Sequence, residues 1–155
     1  MDSERSAIRV LTELSEYSLE EFNDRMRLQK LVFLARKMGH DFGYTFNWYA
    51  RGPYSPSLTR MLFKANEQRQ FSRDAAPLRT SEMEVVQTLR DFLQEDVESP
   101  RMLELLASVW YQIRKKTYSP EERDEIFDII IQKKSQYERA EVEEAFDRIQ
   151  RFIDR

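Results

Sequence analysis

Hydrophobic positions recur at helical spacing in two long stretches of the chain. One stretch places its apolar residues on a single arc of a helical wheel, namely Leu28, Leu31, Val32, Leu34, Ala35 and Met38. The other covers the wide arc of a buried core helix with Met102, Leu103, Leu105, Leu106, Val109, Trp110 and Ile113. Few glycines and many Glu, Leu, Arg and Gln residues extend the helical prediction to most of the chain.

Capping residues set the expected boundaries of these helices. Serine before proline, or serine three residues before glutamate, is typical of a helix start. Such serines stand at Ser18, Ser55, Ser81, Ser99 and Ser119, with Asn23 and Asp24 as later candidates for the second start. Gly39 stands where a glycine often ends a helix. The predicted helices span residues 3–16, 24–38, 55–68, 81–96, 99–116, 119–135 and 138–154.

One aromatic segment departs from the helical pattern. In residues 44–50, large aromatic side chains recur at every second position, which favours a β-strand. Such a strand places Tyr44, Phe46, Trp48 and Ala50 on one face. Gly52-Pro53 is expected to end this strand, and its partner is expected at residues 70–73 or 78–80. The element order then resembles a winged helix. We therefore predict a mainly α fold with a small β-sheet or hairpin (α+β), a winged-helix-like N-terminal half and a C-terminal helical layer.

Composition narrows the class of protein. A length of 155 residues is typical of one domain, so we predict a single domain, 1–155. The 28 acidic and 25 basic residues give a net charge of −3. The chain contains no cysteine, which excludes a disulfide scaffold, a cysteine-zinc site and a thiol nucleophile. Because no apolar run approaches the length of a membrane span and residues 1–10 lack a secretory core, we expect a cytoplasmic protein with no membrane partner.

Charge is distributed unevenly along the chain. Residues 22–79 carry eleven basic and four acidic side chains, whereas residues 80–155 carry twelve basic and eighteen acidic ones. The basic middle also contains several aromatic residues, a combination that serves phosphate backbones and bases. Two interpretations remain open: the acidic helical part neutralises the basic middle inside the fold, or the basic middle meets an external acidic partner.

The segment from Arg51 to Pro56 contains the densest local pattern. Gly52 and Pro53 turn the chain and Ser55 caps the next helix, which leaves backbone amides at Ser57 and Leu58. Such amides beside Arg51 could hold a phosphate or a carboxylate. The alternative interpretation is a rigid joint between strand and helix.

Catalytic patterns are absent from the sequence. His40 is the only histidine, and no Ser-His-Asp set, phosphate-binding loop or dinucleotide-binding glycine pattern can be assembled. The carboxylates Glu121, Glu125 and Asp128 share one helix face and are expected to be solvated. We therefore predict a protein that is not an enzyme and that holds no cofactor and no metal.

Two segments carry a family resemblance. Arg27–Ala35 (RLQKLVFLA) and Phe46–Leu58 (FNWYARGPYSPSL) resemble the YwgA-like family of prokaryotic proteins, which pairs a similar helix with an aromatic strand. The similarity extends more distantly to the Panacea (SocA-like) antitoxin domain, and Leu103–Tyr111 is similar to the family's second helical segment. The resemblance implies a non-catalytic regulator, adaptor or toxin-neutralising protein.

Two functions follow as expectations. The first is a regulatory or adaptor module that binds DNA or RNA through residues 22–79, and the second is an antitoxin-like module that covers a partner protein. The candidate nucleic-acid or anion-binding residues are Arg25, Arg27, Arg36, Lys37, Arg51, Ser57, Leu58 and Arg60. The candidate protein-partner surface consists of Phe33, Trp48, Tyr49 and Tyr54.

Overall fold

A computed structural model describes residues 2–67 and 77–155. In chain order they form α1 (Asp2–Leu14), α2 (Phe22–Lys37), β1 (Asn47–Tyr49), β2 (Gly52–Tyr54), α3 (Pro56–Glu67), α4 (Thr80–Leu93), α5 (Pro100–Gln112), α6 (Pro120–Lys133) and α7 (Arg139–Asp154). A short 3₁₀ helix, Gln94–Glu98, links α4 to α5. The prediction of a mainly helical fold with a small β-sheet is confirmed. No helix among the described residues has the length and apolar character needed to cross a membrane.

The core is centred on α2 and α5, which pack against each other. Their predicted core residues are all buried, namely Leu31, Leu34, Ala35, Leu105, Leu106 and Val109. Every residue of α2 from Arg27 to Ala35 is buried, because α1, α3, α4, α5 and β2 all contact this helix. α2 is therefore a central helix rather than an amphipathic surface helix. On the far side of α5, α7 packs against α5 and α6 and forms the C-terminal layer.

The small sheet is a hairpin formed by β1 and β2. The strands are antiparallel, and Trp48 pairs with Pro53 while Tyr49 pairs with Gly52. The prediction that Gly52-Pro53 ends the strand is wrong, because these residues begin the partner strand. Gly52 adopts a φ of +90°, which a tight turn requires and which glycine adopts readily. Pro53 is tolerated because alternate pairs in an antiparallel ladder exchange no N–H···O bond.

β1 pairs with β2 and not with either of the partner strands predicted at residues 70–73 and 78–80. Residues 77–79 are irregular and Thr80 begins α4, so residues 78–80 form no strand. Residues 70–73 lie outside the described residues. The described chain therefore has the order helix, helix, hairpin, helix, with both strands before α3. The hairpin lies between α2 and α5 and contacts both helices.

Three of the predicted caps are confirmed. The hydroxyls of Ser55, Ser99 and Ser119 accept N–H groups in the first turns of α3, α5 and α6. Gly39 follows α2 with a φ of +100°, as expected of a terminating glycine.

The caps of two other helices differ from the predictions. α2 begins after Glu21, without a side-chain cap from Ser18, and Asn23 and Asp24 lie within the helix. α4 begins after Arg79 rather than Ser81, and the N–H of Arg79 donates to Glu82 at 2.8 Å. The caps predicted from serine therefore lie at the wrong positions. Ser18 stands before the start of α2, and Ser81 lies within the first turn of α4.

Candidate nucleic-acid interface

Arg27 was predicted to contact nucleic acid, but the structure buries it. Its guanidinium donates to Asp24 at 2.9 Å, to Glu98 at 2.8 Å and to the carbonyl of Val97 at 3.1 Å. The ring of Tyr17 lies 4.7 Å from the same group. Arg27 thus ties α2 to the 3₁₀ helix, and its charge is neutralised inside the protein.

The polar residues of α2 next to Arg27 bind the hairpin and its exit. Gln29 exchanges two hydrogen bonds with the backbone of Ser55, each 2.9 Å long. Lys30, 1% exposed, donates to the carbonyl of Pro53 at 2.6 Å. Together these bonds fix the direction in which the chain leaves β2 and enters α3.

A second lysine fixes the other end of the hairpin turn. Lys134, just after α6, donates to the carbonyl of Ala50 at 2.8 Å and to Glu104 at 3.0 Å. Glu104 lies on α5, and its carboxylate provides the negative charge near both buried lysines. Burial, opposed by Glu104 and reinforced by Lys134 and Arg51, lowers the pKa of Lys30 to about 8. These contacts anchor the hairpin to α2 and to the end of α6.

Part of the anion site expected after the hairpin is already engaged within the protein. The N–H of Leu58 donates to the hydroxyl of Ser55 at 3.3 Å, and the side chain of Leu58 is buried. The hydroxyls of Ser55 and Ser57 are 3.1 Å apart. The guanidinium of Arg51 lies 3.9 Å from Glu104, so its nearest charged partner is internal. These contacts favour the alternative interpretation, a rigid joint between strand and helix.

An aromatic and arginine-rich cluster surrounds the hairpin tip. Phe22, 44% exposed, has Arg25 at 5.7 Å and Arg51 at 5.2 Å from its ring centroid. Tyr49, 45% exposed, contacts Tyr54 with ring centroids 5.4 Å apart. Arg25 also donates to the carbonyls at positions 19 and 20. Arg25 and Arg51 are thus brought together, whereas Arg60 is exposed separately on α3.

A row of four rings runs from the core to the surface. Phe33 contacts Phe46 at 5.4 Å and Tyr111 at 6.1 Å, and Trp48 contacts Tyr111 at 5.4 Å between centroids. Phe33 was expected on a protein-partner surface, but it is 3% exposed and belongs to the core. Trp48 and Tyr111 are half-buried and form the outer end of the row.

Basic residues from three parts of the chain converge beside this row. The group consists of Arg36 and Lys37 at the end of α2, Arg114, Lys115 and Lys116 after α5, and Arg155 after α7; we call it the basic face. A shallow cavity of about 400 Å³ lies at its centre. The lining consists of Lys37, Trp110, Ile113, Arg114, Lys115, Lys116, Phe152, Ile153 and Arg155, and among these described residues there is no carboxylate side chain.

Hydrogen bonds hold the basic run after α5 in place. The hydroxyl of Tyr118 accepts the backbone N–H of Arg114 at 2.6 Å and that of Lys115 at 3.1 Å. Gln150 of α7 donates to the carbonyl of Lys116 at 3.0 Å. The run therefore has a defined conformation that is set by neighbours on α7 and before α6.

The positive charges of the basic face lie close enough together to repel one another. Partial burial, with repulsion from Arg114 and Arg36, lowers the pKa of Lys37. The guanidinium of Arg114 lies over the ring of Tyr111 at 5.4 Å, and the ammonium of Lys37 lies 5.8 Å from the ring of Phe33. Lys115 pairs with Glu122, and within the part of the chain that the structure describes no other member of this group forms an ion pair with a carboxylate side chain. The face therefore presents uncompensated positive charge.

Internal neutralisation applies to only part of the basic middle. Arg27 pairs with Glu98, and Arg51 approaches Glu104. Most of the ion-paired carboxylates of residues 80–155 instead pair with bases of that same part, in Arg101–Glu141, Lys115–Glu122, Arg123–Asp147, Lys134–Glu104, Arg139–Asp124, Arg139–Asp128, Arg139–Glu143, Arg148–Asp96 and Arg151–Glu144. The acidic part consequently leaves Arg36 and Lys37 exposed.

The sequence prediction did not include Arg114, Lys115 and Lys116 among the candidate binding residues. The reason is that basic and acidic side chains were counted over the whole of residues 80–155. Three consecutive basic residues were a visible pattern, and a shorter window would have found them. Their proximity to Lys37 follows from the packing of α5 on α2, which no local pattern contains.

Comparison with known proteins adds no relative. No protein-family model matches the chain, and neither the curated proteins nor the solved structures contain a match. Among the described residues, no group of three or more His, Asp or Glu side chains is arranged to hold a metal ion.

Proposed function

We propose that this protein is a non-enzymatic regulatory or adaptor module that binds nucleic acid through the basic face. The observation that carries the proposal is the convergence of Lys37, Arg114 and Lys116 around one shallow cavity whose described lining has no carboxylate side chain. Arg36 is exposed next to Lys37, and its guanidinium donates to the carbonyl of Tyr44. Nucleic-acid backbones are bound mainly by such groups of Lys and Arg. The binding surface proposed here keeps Arg36 and Lys37 from the predicted nucleic-acid residues and leaves out Arg27 and Leu58, which are buried.

We also propose kinship with the YwgA-like family. The two segments that resemble this family, Arg27–Ala35 and Phe46–Leu58, contact each other, which supports the proposal. Gln29 and Lys30 of the first segment donate hydrogen bonds to Ser55 and Pro53 of the second. Glu104, in the third resembling segment, lies beside Lys134 and the hairpin turn. The shared residue pattern thus corresponds to one interacting structural unit. This unit supports the hairpin.

The experiment is a salt titration of binding. A fluorescein-labelled oligonucleotide is titrated with the protein at several salt concentrations, and binding is followed by fluorescence anisotropy. The logarithm of affinity should fall linearly with the logarithm of salt concentration, with a slope of about −0.9 for each phosphate neutralised on B-DNA. The double variant Arg36→Ala/Lys37→Ala should flatten the slope by about one to two, as should Arg114→Ala/Lys116→Ala.

The matched control removes the same charge elsewhere. Lys64 on α3 and Lys133 on α6 are exposed and lie outside the basic face. Lys64→Ala/Lys133→Ala should leave the slope unchanged. Failure of the intact protein to bind at low salt would overturn the proposal, and so would an equal effect of the control variant.

The exposure of Phe22 and Tyr49 favours a protein partner as the second candidate function. Tyrosine and arginine are common among residues that dominate protein interfaces, and Arg25 and Arg51 flank Phe22. The test is affinity purification from nuclease-treated cells with the wild type and Phe22→Ser/Tyr49→Ser. A protein that the wild type retains and the variant loses supports this candidate, whereas identical profiles contradict it.

A further inference from the structure

The basic face is bordered by two partly exposed aromatic rings. Trp48 and Tyr111 are half-buried, with centroids 5.4 Å apart and planes inclined by 45°. Arg114 links the rings to the cavity, because its guanidinium lies over Tyr111 and its side chain also lines the cavity. Lys134 lies 5.5 Å from the ring centroid of Trp48, so each ring has one cation beside it. Positive charge and half-buried aromatic surface therefore occur side by side.

The elements that build the face determine which form of nucleic acid suits it. The basic residues come from the last turn of α2, the segment after α5 and the end of α7, so helix ends and a loop supply the charge. A duplex is usually read by a helix or a strand pair inserted into its major groove. Each helix therefore supplies basic side chains to this face from its last turn or from the residues just after it.

We propose that the ligand of the basic face is single-stranded nucleic acid, whose bases stack on Tyr111 and Trp48. The inference rests on the proposed function and names its ligand class. Unpaired bases expose their π-faces, and stacking on aromatic side chains contributes about 1–3 kcal/mol per base. Lys37, Arg114 and Lys116 bind the phosphates on either side of the stacked bases. Bases inside a duplex have no free face for these rings.

The first experiment uses the unmodified protein and three labelled 12-nucleotide probes. They are an oligo-dT single strand, a duplex, and an abasic strand that has the same phosphodiester backbone without bases. The single strand should bind at least about tenfold more tightly than the abasic strand, which corresponds to the stacking of one base. It should also bind more tightly than the duplex at the same salt concentration.

The second experiment separates stacking from charge. Tyr111→Leu should weaken oligo-dT binding by about 5- to 150-fold and leave the salt slope unchanged, because no charge is removed. Tyr111→Phe should retain the wild-type affinity. Tyr49→Leu is the matched control, because Tyr49 follows Trp48 in β1 and faces the opposite side of the strand, and it should bind as the wild type does.

The outcomes distinguish this inference from the proposed function. Equal or tighter binding of the duplex, or equal binding of the abasic strand, overturns the single-strand inference and leaves nucleic-acid binding intact. Absence of binding to all three probes at low salt overturns the proposed function itself. Because the probe comparison uses the wild-type chain, it stands even if Tyr111→Leu does not fold.

Discussion

The side-chain amide of Gln29 forms a pair of hydrogen bonds with the backbone of Ser55. The N–H of Ser55 donates to Oε1 at 2.9 Å, and Nε2 donates to the carbonyl of Ser55 at 2.9 Å. Nε2 also donates to Thr59 at 2.8 Å, and both Gln29 and Ser55 are buried. One side chain of α2 thus satisfies the backbone at the junction between β2 and α3.

Replacement of Gln29 by leucine should destabilise the protein strongly. Leucine has a similar size but leaves the N–H of Ser55 without a partner, whereas the carbonyl of Ser55 still accepts the N–H of Thr59 at 3.2 Å. Because one unsatisfied buried group costs about 1–3 kcal/mol, we expect the free energy of unfolding to fall by about that amount, as measured by urea denaturation. Gln29→Glu keeps an acceptor for the N–H of Ser55 but places a buried carboxylate opposite the carbonyl of Ser55, so it should also destabilise the protein. A loss below about 0.5 kcal/mol for Gln29→Leu would contradict the structural role.

Gly52 should be the glycine least tolerant of substitution among the three of the chain. Its φ is +90°, and an added Cβ would lie 2.6 Å from the hydroxyl oxygen of Ser108. Gly39 has a similar φ of +100° but no atom within 4 Å of the same position. Gly39→Ala should therefore cost about 1 kcal/mol from backbone strain alone, and Gly52→Ala about 2–4 kcal/mol, measured by thermal or urea unfolding.

Removal of the clashing hydroxyl tests the cause of that difference. The hydroxyl of Ser108 is buried and has no hydrogen-bond partner within the described structure, so Ser108→Ala should be neutral or slightly stabilising. In the double variant Gly52→Ala/Ser108→Ala we expect about 1 kcal/mol of the loss to be recovered. Strict additivity of the two single effects would show that the contact with Ser108 is not the source of the strain.

Local sequence patterns predicted the helices well because their causes are local. The spacing of Leu28, Leu31 and Leu34 and the caps at Ser99 and Ser119 depend on residues within one or two turns. The hairpin was only half predicted: the alternation around Trp48 indicated a strand, but Gly52-Pro53 was interpreted as its end. That error arose because a glycine-proline pair suits both a strand terminator and a tight turn, and only packing on α2 and α5 decides between them.

The candidate site was harder to predict because it depends on tertiary packing. Arg27, Lys30 and Lys37 look alike in the sequence, yet only Lys37 is exposed. Arg27 is neutralised by Glu98, which lies 71 positions away along the chain. Lys37 meets Arg114 because α2 packs against α5. Burial and pairing of charged residues are set by such distant contacts, so charge counts over segments cannot assign them.

The core prediction can be checked with one substitution on α5. Leu106 is fully buried in the cluster that joins α2 and α5. Leu106→Ala should lower the free energy of unfolding by about 2–5 kcal/mol, because the substitution loses buried apolar surface and leaves a cavity. Met83→Ala on α4 is the control, since Met83 is 55% exposed and should lose less than about 0.5 kcal/mol. Similar losses for both variants would contradict the assignment of the core.

Lys30 should make stability rise with pH in the alkaline range. Its pKa is about 8 in the folded protein and 10.5 in the reference state, with burial as the main cause. Below about pH 8 the side chain is protonated in both states, and its burial lowers stability by the full amount. Between about pH 8 and pH 10.5 the unfolded chain binds the proton more strongly than the folded chain does, so stability increases as pH rises.

The measurement is the difference in unfolding free energy between the wild type and Lys30→Met at several pH values. Subtracting the variant removes the titration of other groups, including Tyr17 and Tyr137, whose pKa values are raised by burial. From about pH 7 to pH 9.5 the wild type should gain about 2 kcal/mol relative to the variant. A difference that stays constant over this range would show that Lys30 keeps its ordinary pKa. Because Glu104 opposes the effect of burial, Glu104→Gln should shift the same rise to lower pH.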